Sequence, residues 1–150
     1  VSILSGREQP LDGTAPGLRS GYGSDGITVP ASFNTTLLWV GDRGCVYASA
    51  HSRGGRDKGY HWYRDGRREK KTHTFTDFIA VAEGLVTDDW VAPDKIVAQG
   101  ASAGAMLMAA ISNLAPARFR RTAAAVPFVD ALTPLPHQTT PLTPPHHLHC

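Results

Sequence analysis

The sequence predicts an α/β fold in which a mostly parallel sheet is flanked by helices. Three short segments rich in apolar residues have the length of strands, at residues 45–51, 95–99 and 123–129. Two segments with apolar residues at helical spacing alternate with them, one beginning at Thr74 and one spanning 105–114. Strands that alternate with helices indicate right-handed crossovers and therefore parallel neighbours in the sheet.

The composition limits the classes of function. The chain has 150 residues, 41% of them hydrophobic, which suits one domain or a piece of a larger protein. Its formal net charge of +2 is too small to indicate nucleic acid as a partner. No segment reaches the ~18 apolar residues of a membrane span, and the first residues lack the pattern of a signal peptide. We expect no nucleic acid and no membrane as partners, and the missing initiator Met fits a piece of a longer chain.

The two cysteines, Cys45 and Cys150, do not form the pattern of a disulfide framework. Cys45 lies in an apolar run and is predicted to be a buried thiol. We therefore expect a reducing, cytoplasmic compartment.

The remaining elements follow along the chain. Residues 1–35 are rich in turn formers, and loops are expected at 11–14 and 21–26. A short apolar run at 36–40 fits either a helix or a strand. Thr74 and Asp77 have the spacing of a capping box at the start of the longest helix.

Residues 53–71 form a basic segment in which eight Lys or Arg residues accompany three acidic ones. The aromatic residues Tyr60, Trp62 and Tyr63 are interleaved with these charges. One interpretation is a surface for nucleic acid or an acidic partner. The other is a solvated loop and helix start, which is the usual meaning of a charge run.

Residues 134–150 differ in character, with five prolines, four histidines and no other charged side chain. The sequence predicts a domain over 1–133 followed by this irregular Pro/His-rich tail. His146, His147, His149 and Cys150 could chelate a metal, but their spacing matches no structural zinc motif. We expect no metal and no cofactor.

The sharpest chemical signal is the G-x-S-x-G pentapeptide from Gly100 to Gly104. It follows a predicted strand and opens a predicted helix, as the nucleophile elbow of an α/β-hydrolase requires. Small residues at Gly100 and Gly104 let strand and helix approach, Ser102 becomes the nucleophile, and the Ala103 N–H becomes an oxyanion donor. The alternatives are a small-residue turn in which Ser102 caps the helix, and a phosphate loop, although no Lys follows the glycines.

A serine nucleophile also needs a base and an acid, which in this fold follow it in the order Asp or Glu, then His. After Ser102 the only acidic residue is Asp130, and His137 is the first histidine. A triad of Ser102, Asp130 and His137 can be written, but Asp130 ends the first strand after the nucleophile helix, and the fold's acid comes from a later strand. The sequence therefore predicts a partial α/β-hydrolase fold that is inactive as it stands.

Several linked motifs resemble the N-terminal part of the peptidase domain of oligopeptidase B, a branch of the prolyl oligopeptidase family. In chain order they are Gly21-Tyr22-Gly23-Ser24, Asp42-Arg43-Gly44, His51-Ser52-Arg53-Gly54-Gly55, Trp62-Tyr63-Arg64-Asp65-Gly66, Lys70-Lys71-Thr72, Thr74-Phe75-Thr76-Asp77-Phe78-Ile79, Gly100 to Gly104 and Val126-Pro127-Phe128-Val129-Asp130.

The resemblance implies an α/β-hydrolase whose full-length relatives carry a β-propeller that limits access to short peptides. It implies cleavage after basic residues with Ser102 as the nucleophile and without a cofactor. It also implies that the Tyr22 hydroxyl joins the Ala103 N–H in stabilising the oxyanion.

The chain departs from the family pattern at several positions. Ser20 replaces a tyrosine, Asp25 stands where an aromatic residue is usual, and Arg19 replaces an apolar strand residue, where a charge is costly to bury. The segment 141–143 is followed by no acidic residue of the kind that reads a basic substrate. The family's triad Asp and His lie outside these residues.

Two other functions remain open. The chain could belong to another α/β-hydrolase, an esterase or lipase, or it could be a non-catalytic binding remnant that uses the basic segment 53–71. In either case half a sheet leaves an unpaired edge, so self-association through the incomplete sheet is expected.

Overall fold

The computed structural model describes residues 1–30, 32 and 34–127. Within them the strands are β1 (Ser2–Leu4), β2 (Gly17–Gly21), β3 (Val46–Ala50), β4 (Ile96–Ala101) and β5 (Arg121–Ala125). The helices are α1 (Thr35–Gly41), α2 (Tyr60–Arg64), α3 (Thr72–Thr87) and α4 (Ala103–Leu114), with 3₁₀ turns at Arg68–Lys70 and Pro116–Arg118. None of these described helices is long and apolar enough to cross a membrane.

The five strands form one sheet in the order β1-β3-β2-β4-β5. β1 runs antiparallel to β3, and the other neighbours are parallel. The mostly parallel sheet with flanking helices is therefore confirmed. It places the carboxyl ends of β2, β3 and β4 along one edge, which is where open α/β sheets bind their ligands.

The helices lie on both faces of the sheet. Phe78 of α3 and Leu107 of α4 pack against the same side of β2, directly over Gly21. Leu4 of β1 contacts the end of α1 near Gly41, on the opposite face. The core between sheet, α3 and α4 contains mainly aliphatic side chains, among them Val46, Ile96, Leu85, Met108 and Ile111.

Two strands escaped the sequence analysis, β1 and β2. β2 has the sequence Gly-Leu-Arg-Ser-Gly, which carries no strand signal. Its glycines are required by packing, because a Cβ on Gly17 would lie 2.8 Å from Val91 and a Cβ on Gly21 would overlap the Phe78 ring. The two glycines that let β2 pack against its neighbours are also the residues that made the segment resemble a turn.

The capping box predicted at Thr74 and Asp77 is wrong. The helix begins at Thr72, and Lys71 occupies the cap position without a side-chain capping bond. The Thr74 hydroxyl is buried and donates to the Arg53 carbonyl at 2.6 Å, and Asp77 accepts hydrogen bonds from Arg53. Both side chains bond to Arg53, in the loop that follows β3, and therefore do not cap the helix.

Two further predictions need correction. The strand predicted at 123–129 begins at Arg121 and is exposed along its length, not buried, because β4 is its only described neighbour; residues 128 and 129 lie outside the described part. Cys45 is a free thiol, as predicted, but it is only half-buried because it precedes β3 instead of lying within it. The predicted tail at 134–150 lies outside the described residues.

Arg19 is the least favourable feature of the core. Its side chain is fully buried at the centre of β2, and the three guanidinium nitrogens have no hydrogen-bond partner in the part of the chain described. The guanidinium lies 3.7 Å from the centroid of the Phe78 ring. Burial without a compensating carboxylate lowers the pKa of Arg19 to about 9. The guanidinium is therefore buried without compensation at this strand position, which is the arrangement for which the sequence analysis expects a cost.

We expect Arg19→Leu to raise the free energy of unfolding by about 1–4 kcal/mol, because an apolar side chain replaces an uncompensated charge. The exposed Arg120→Leu is the control and should change stability little. Because the pKa of Arg19 is lower in the folded chain, the unfolded chain binds more protons above a pH of about 9. The free energy of unfolding of the wild type should therefore rise with pH in that range, and its difference from that of Arg19→Leu should shrink. Urea unfolding checks both, and a loss of stability in Arg19→Leu would contradict the account.

Candidate active site

Ser102 lies at the junction between β4 and α4, at the carboxyl edge of the sheet. Its backbone angles are φ 55° and ψ −119°, in a region that side-chain-bearing residues rarely adopt. Its N–H donates to the Ala125 carbonyl at 3.0 Å, which ties the turn to β5. Backbone strain of this kind costs on the order of 1–3 kcal/mol and persists only where surrounding structure enforces it.

Ser102 does not act as an ordinary helix cap. A capping serine has extended backbone angles, and its hydroxyl accepts a hydrogen bond from the first turn of the helix. Here the angles are different and the side chain makes no capping bond, although the Ser102 carbonyl accepts the Ala105 N–H at 2.9 Å. The turn therefore presents the hydroxyl without using it to stabilise the helix, as a nucleophile elbow does.

The strain at Ser102 is imposed by close contact between backbone segments. A Cβ on Gly100 would overlap the Gly104 carbonyl, one turn into α4. A Cβ on Gly104 would lie 2.7 Å from the Gly21 carbonyl oxygen at the end of β2. Both predicted elbow glycines are thus sites where two backbones meet and no side chain fits.

The N-terminus of α4 provides the electrostatic component of the site. The N–H groups in the first turn of a helix have no intrahelical acceptor, and the helix dipole places partial positive charge there. Ala103 is the first residue of α4 and is buried against the sheet. An anion that forms beside Ser102 would lie next to this end of the helix.

Tyr22, the second predicted oxyanion donor, lies on the loop after β2 beside the start of α4. Its ring and Cα are within 3.6 Å of the position that a Cβ on Gly104 would take. Its hydroxyl donates to the Asp25 carboxylate at 2.9 Å. The structure therefore places the Tyr22 ring beside the first turn of α4, with its hydroxyl bonded to Asp25, one of the residues that depart from the family pattern.

The loop that carries Tyr22 is held by two residues of the α3 start. Lys71 donates to the Gly23 carbonyl at 2.8 Å and also contacts the Ser24 hydroxyl. A Cβ on Gly23, whose φ is 66°, would overlap the Thr74 side chain. Sequence reasoning missed both residues, because Lys71 was counted in a charge run and Thr74 as a cap.

Much of the positive charge of the basic segment 53–71 is used internally. Arg53 donates two hydrogen bonds to the Asp77 carboxylate, at 2.8 and 2.5 Å, and these hydrogen bonds raise the pKa of Arg53. Lys70 donates to Asp65 at 2.7 Å, which lowers the pKa of that carboxyl. Arg67 donates to the Tyr63 hydroxyl at 3.1 Å. These pairs favour the interpretation as folded surface over a nucleic-acid interface.

The remaining triad candidates, Asp130 and His137, lie outside the described residues. In the part that is described, no hydrogen bond joins a histidine to Ser102; His51 contacts Ser2 and Asp57, and His73 contacts the Asp65 carbonyl. Residues 1–30, 32 and 34–127 contain no group of three metal-ligating side chains. The predicted histidine and cysteine chelate at 146–150 also lies outside the described part.

Comparison with known proteins gives a consistent result. A model of the prolyl oligopeptidase family matches residues 31–149. Dipeptidyl aminopeptidase BI of Pseudoxanthomonas mexicana is 43% identical over 143 residues, which are 95% of this chain and 20% of that protein. Protease 2 of Moraxella lacunata is 41% identical over 137 residues, 91% of this chain and 20% of that protein.

Solved structures agree with these relatives. Oligopeptidase B from Trypanosoma brucei is 38% identical with a TM-score of 0.90, covering 97% of this chain and 20% of that one. Oligopeptidase B from Leishmania major is 37% identical with a TM-score of 0.89, covering 95% and 20%. The chain thus spans about a fifth of the length of these relatives, and the resemblance and the α/β-hydrolase fold are confirmed.

We expect a thiol at position 102 to be unusually acidic. In Ser102→Cys the thiolate would lie at the N-terminus of α4, and its pKa should fall below the ~8.5 of an ordinary cysteine. Asn113→Cys places an exposed thiol in the last turn of the same helix, where the dipole has the opposite effect. Iodoacetamide alkylation followed across pH by peptide mapping measures both, and equal pKa values would contradict the proposed electrostatics.

Proposed function

The chain belongs to the prolyl oligopeptidase family, and we propose that it supplies the nucleophile of a serine peptidase that cleaves short peptides through an acyl-enzyme. The observation that carries the proposal is the backbone of Ser102, which is strained, fixed between β4 and α4, and free of a capping role. That geometry has a structural cost, and a nucleophile gives a reason for it.

The described residues account for one side of the reaction. The Ser102 oxygen attacks the peptide carbonyl carbon, its proton passes to a histidine base from outside the described residues, and the carbonyl oxygen becomes negative. The Ala103 N–H and the Tyr22 hydroxyl lie on the two segments that meet at Gly104 and stabilise this charge. Each such donor contributes about 10²–10³ in kcat.

The preference for basic residues is a finer part of the proposal. It is supported by the resemblance to oligopeptidase B, whereas other relatives are named prolyl oligopeptidases, as in Galerina marginata at 39% identity. Family membership favours a peptidase over an esterase or lipase. We also propose that the 150-residue chain alone does not turn over peptides, and that it works in a reducing, cytoplasmic compartment.

Self-association through β5 is proposed for the isolated chain. All five residues of β5 are exposed, Val126 beyond it is 82% exposed, and β4 is the only described strand beside it. An open edge of this kind pairs with another chain. Light scattering should show mass increasing with concentration, and Ala124→Lys should reduce it; a monomer at all concentrations would contradict the proposal.

A chimera tests the peptidase function. Residues 1–127 would replace the matching segment of Trypanosoma brucei oligopeptidase B, which supplies what lies beyond them. We expect hydrolysis of an arginine peptide amide in the chimera and its loss in the Ser102→Ala chimera, with none from the isolated chain. Unchanged turnover after Ser102→Ala would exclude Ser102, and a better rate on a proline amide would contradict the basic preference.

The same chimera tests the Tyr22–Asp25 hydrogen bond. Tyr22→Phe should lower kcat by about 10²–10³ with a smaller effect on KM, because the hydroxyl acts on the transition state. Asp25→Asn should raise kcat, because a neutral acceptor holds the Tyr22 hydroxyl less strongly than a carboxylate. A lower kcat in Asp25→Asn would mean that the carboxylate orients Tyr22 and does not compete with the oxyanion.

A further inference from the structure

A second arrangement of serine, histidine and aspartate lies away from Ser102. The Ser2 hydroxyl is 2.8 Å from Nε2 of His51, and Nδ1 of the same ring is 3.0 Å from Oδ1 of Asp57. The His51 and Asp57 side chains are 18% and 13% exposed, so the ring and the carboxylate are mostly shielded from water. These are the contacts that link nucleophile, base and orienting acid in a serine hydrolase.

The fold brings these residues together from distant parts of the chain. Ser2 in β1 pairs directly with Ser49 in β3, and antiparallel partners place their side chains on the same face. His51 lies two residues after Ser49 and therefore also on that face. Ala48 and Ala50 point the other way, since they pair with Arg19 and Gly21, over which Phe78 packs. The arrangement is thus on the face opposite α3 and α4.

The histidine is held firmly in this position. The Asp57 carboxylate also accepts the Val29 N–H at 3.1 Å, which fixes the orientation of the acid. The Trp62 indole donates to the His51 carbonyl at 2.9 Å, which fixes the backbone below the ring. With Asp57 accepting from Nδ1–H, the Nε2 atom is left to accept the Ser2 hydroxyl proton.

Ser2 and His51 line a cavity of about 410 Å³. Its wall includes Ser2, Leu4, Leu37, Tyr47, Ser49 and His51. Ser49 is 5% exposed, and its hydroxyl has no hydrogen-bond partner in the described residues. The wall of the cavity is thus mixed apolar and polar, as the walls of small-molecule sites commonly are.

We propose that Ser2 is a second nucleophilic serine, activated by His51 and Asp57, and that the cavity accepts a small, mainly apolar carboxylic ester. The Ser2 oxygen bonds to the ester carbonyl carbon while its proton moves to Nε2 of His51. The carbonyl electron pair moves to the carbonyl oxygen. When the pair returns, the ester C–O bond breaks and the alcohol leaves with the proton from His51. Water then releases the acyl group by the same steps.

This reaction is independent of the peptidase proposed at Ser102. It uses a different serine and a different base, on the face of the sheet opposite α3 and α4, and it needs only described residues.

A fluorophosphonate probe bearing a short alkyl chain tests the proposal in the 150-residue chain. Such a probe forms an Oγ–P bond with an activated serine and releases fluoride, and peptide mapping identifies the modified residue. We expect modification of Ser2, retained in Ser102→Ala and lost in Ser2→Ala. His51→Gln should slow it at least tenfold, and Asp57→Asn should slow it less. Ser5→Ala, which changes a neighbouring serine outside the cluster, is the control.

The two functions can be distinguished because the modified peptides differ. Modification at Ser102 reports on the peptidase site, and it does not alter how the result at Ser2 is interpreted. No modification of Ser2 in the folded chain, or modification that persists in His51→Gln, would overturn the proposal. Because His51→Gln also removes a contact between β1 and the rest of the fold, circular dichroism should accompany it. Hydrolysis of p-nitrophenyl butyrate, lost in Ser2→Ala, would provide a second readout.

Discussion

The approach of α4 to the ends of β2 and β4 is the constraint on which the site depends. Gly100 lies against the Gly104 backbone, and Gly104 lies against the Gly21 carbonyl, so three segments meet without side chains between them. In that space the chain turns from strand to helix with Ser102 in a strained conformation. The same contact brings the loop that carries Tyr22 beside the first turn of α4. The strain at Ser102 and the position of the Tyr22 loop beside α4 therefore have one structural origin.

The surroundings of this contact include a buried charge that is unfavourable for stability. Arg19, two residues before Gly21 in β2, buries a guanidinium without a hydrogen-bond partner in the described residues. The Tyr22 loop, by contrast, is stabilised by polar contacts: Lys71 donates to the Gly23 carbonyl, and Thr74 donates to the Arg53 carbonyl. The chemistry of the site and the favourable packing of the core are thus separate requirements.

The sequence predicted those parts whose signals are local. The turn between β4 and α4 was predicted because small residues cluster at 100–104, and β3, β4 and α4 were predicted because their segments are rich in apolar residues. β2 was missed because its glycines make room for Phe78 and Val91, and those residues are distant from β2 in the chain. Thr74 was misread because its partners, the Gly23 and Arg53 carbonyls, come from other loops. The Ser2–His51 contact joins residues 49 apart and left no local signal.

The stability of two substitutions at Ser102 tests the central claim most directly. If the backbone is strained and the hydroxyl caps nothing, Ser102→Gly should raise the free energy of unfolding by about 1 kcal/mol, because glycine adopts a positive φ without strain. Ser102→Ala should leave stability nearly unchanged. If Ser102 is instead an ordinary helix cap, Ser102→Ala should cost about 1 kcal/mol and Ser102→Gly only a few tenths of that. That second pattern in urea unfolding would contradict the nucleophile elbow.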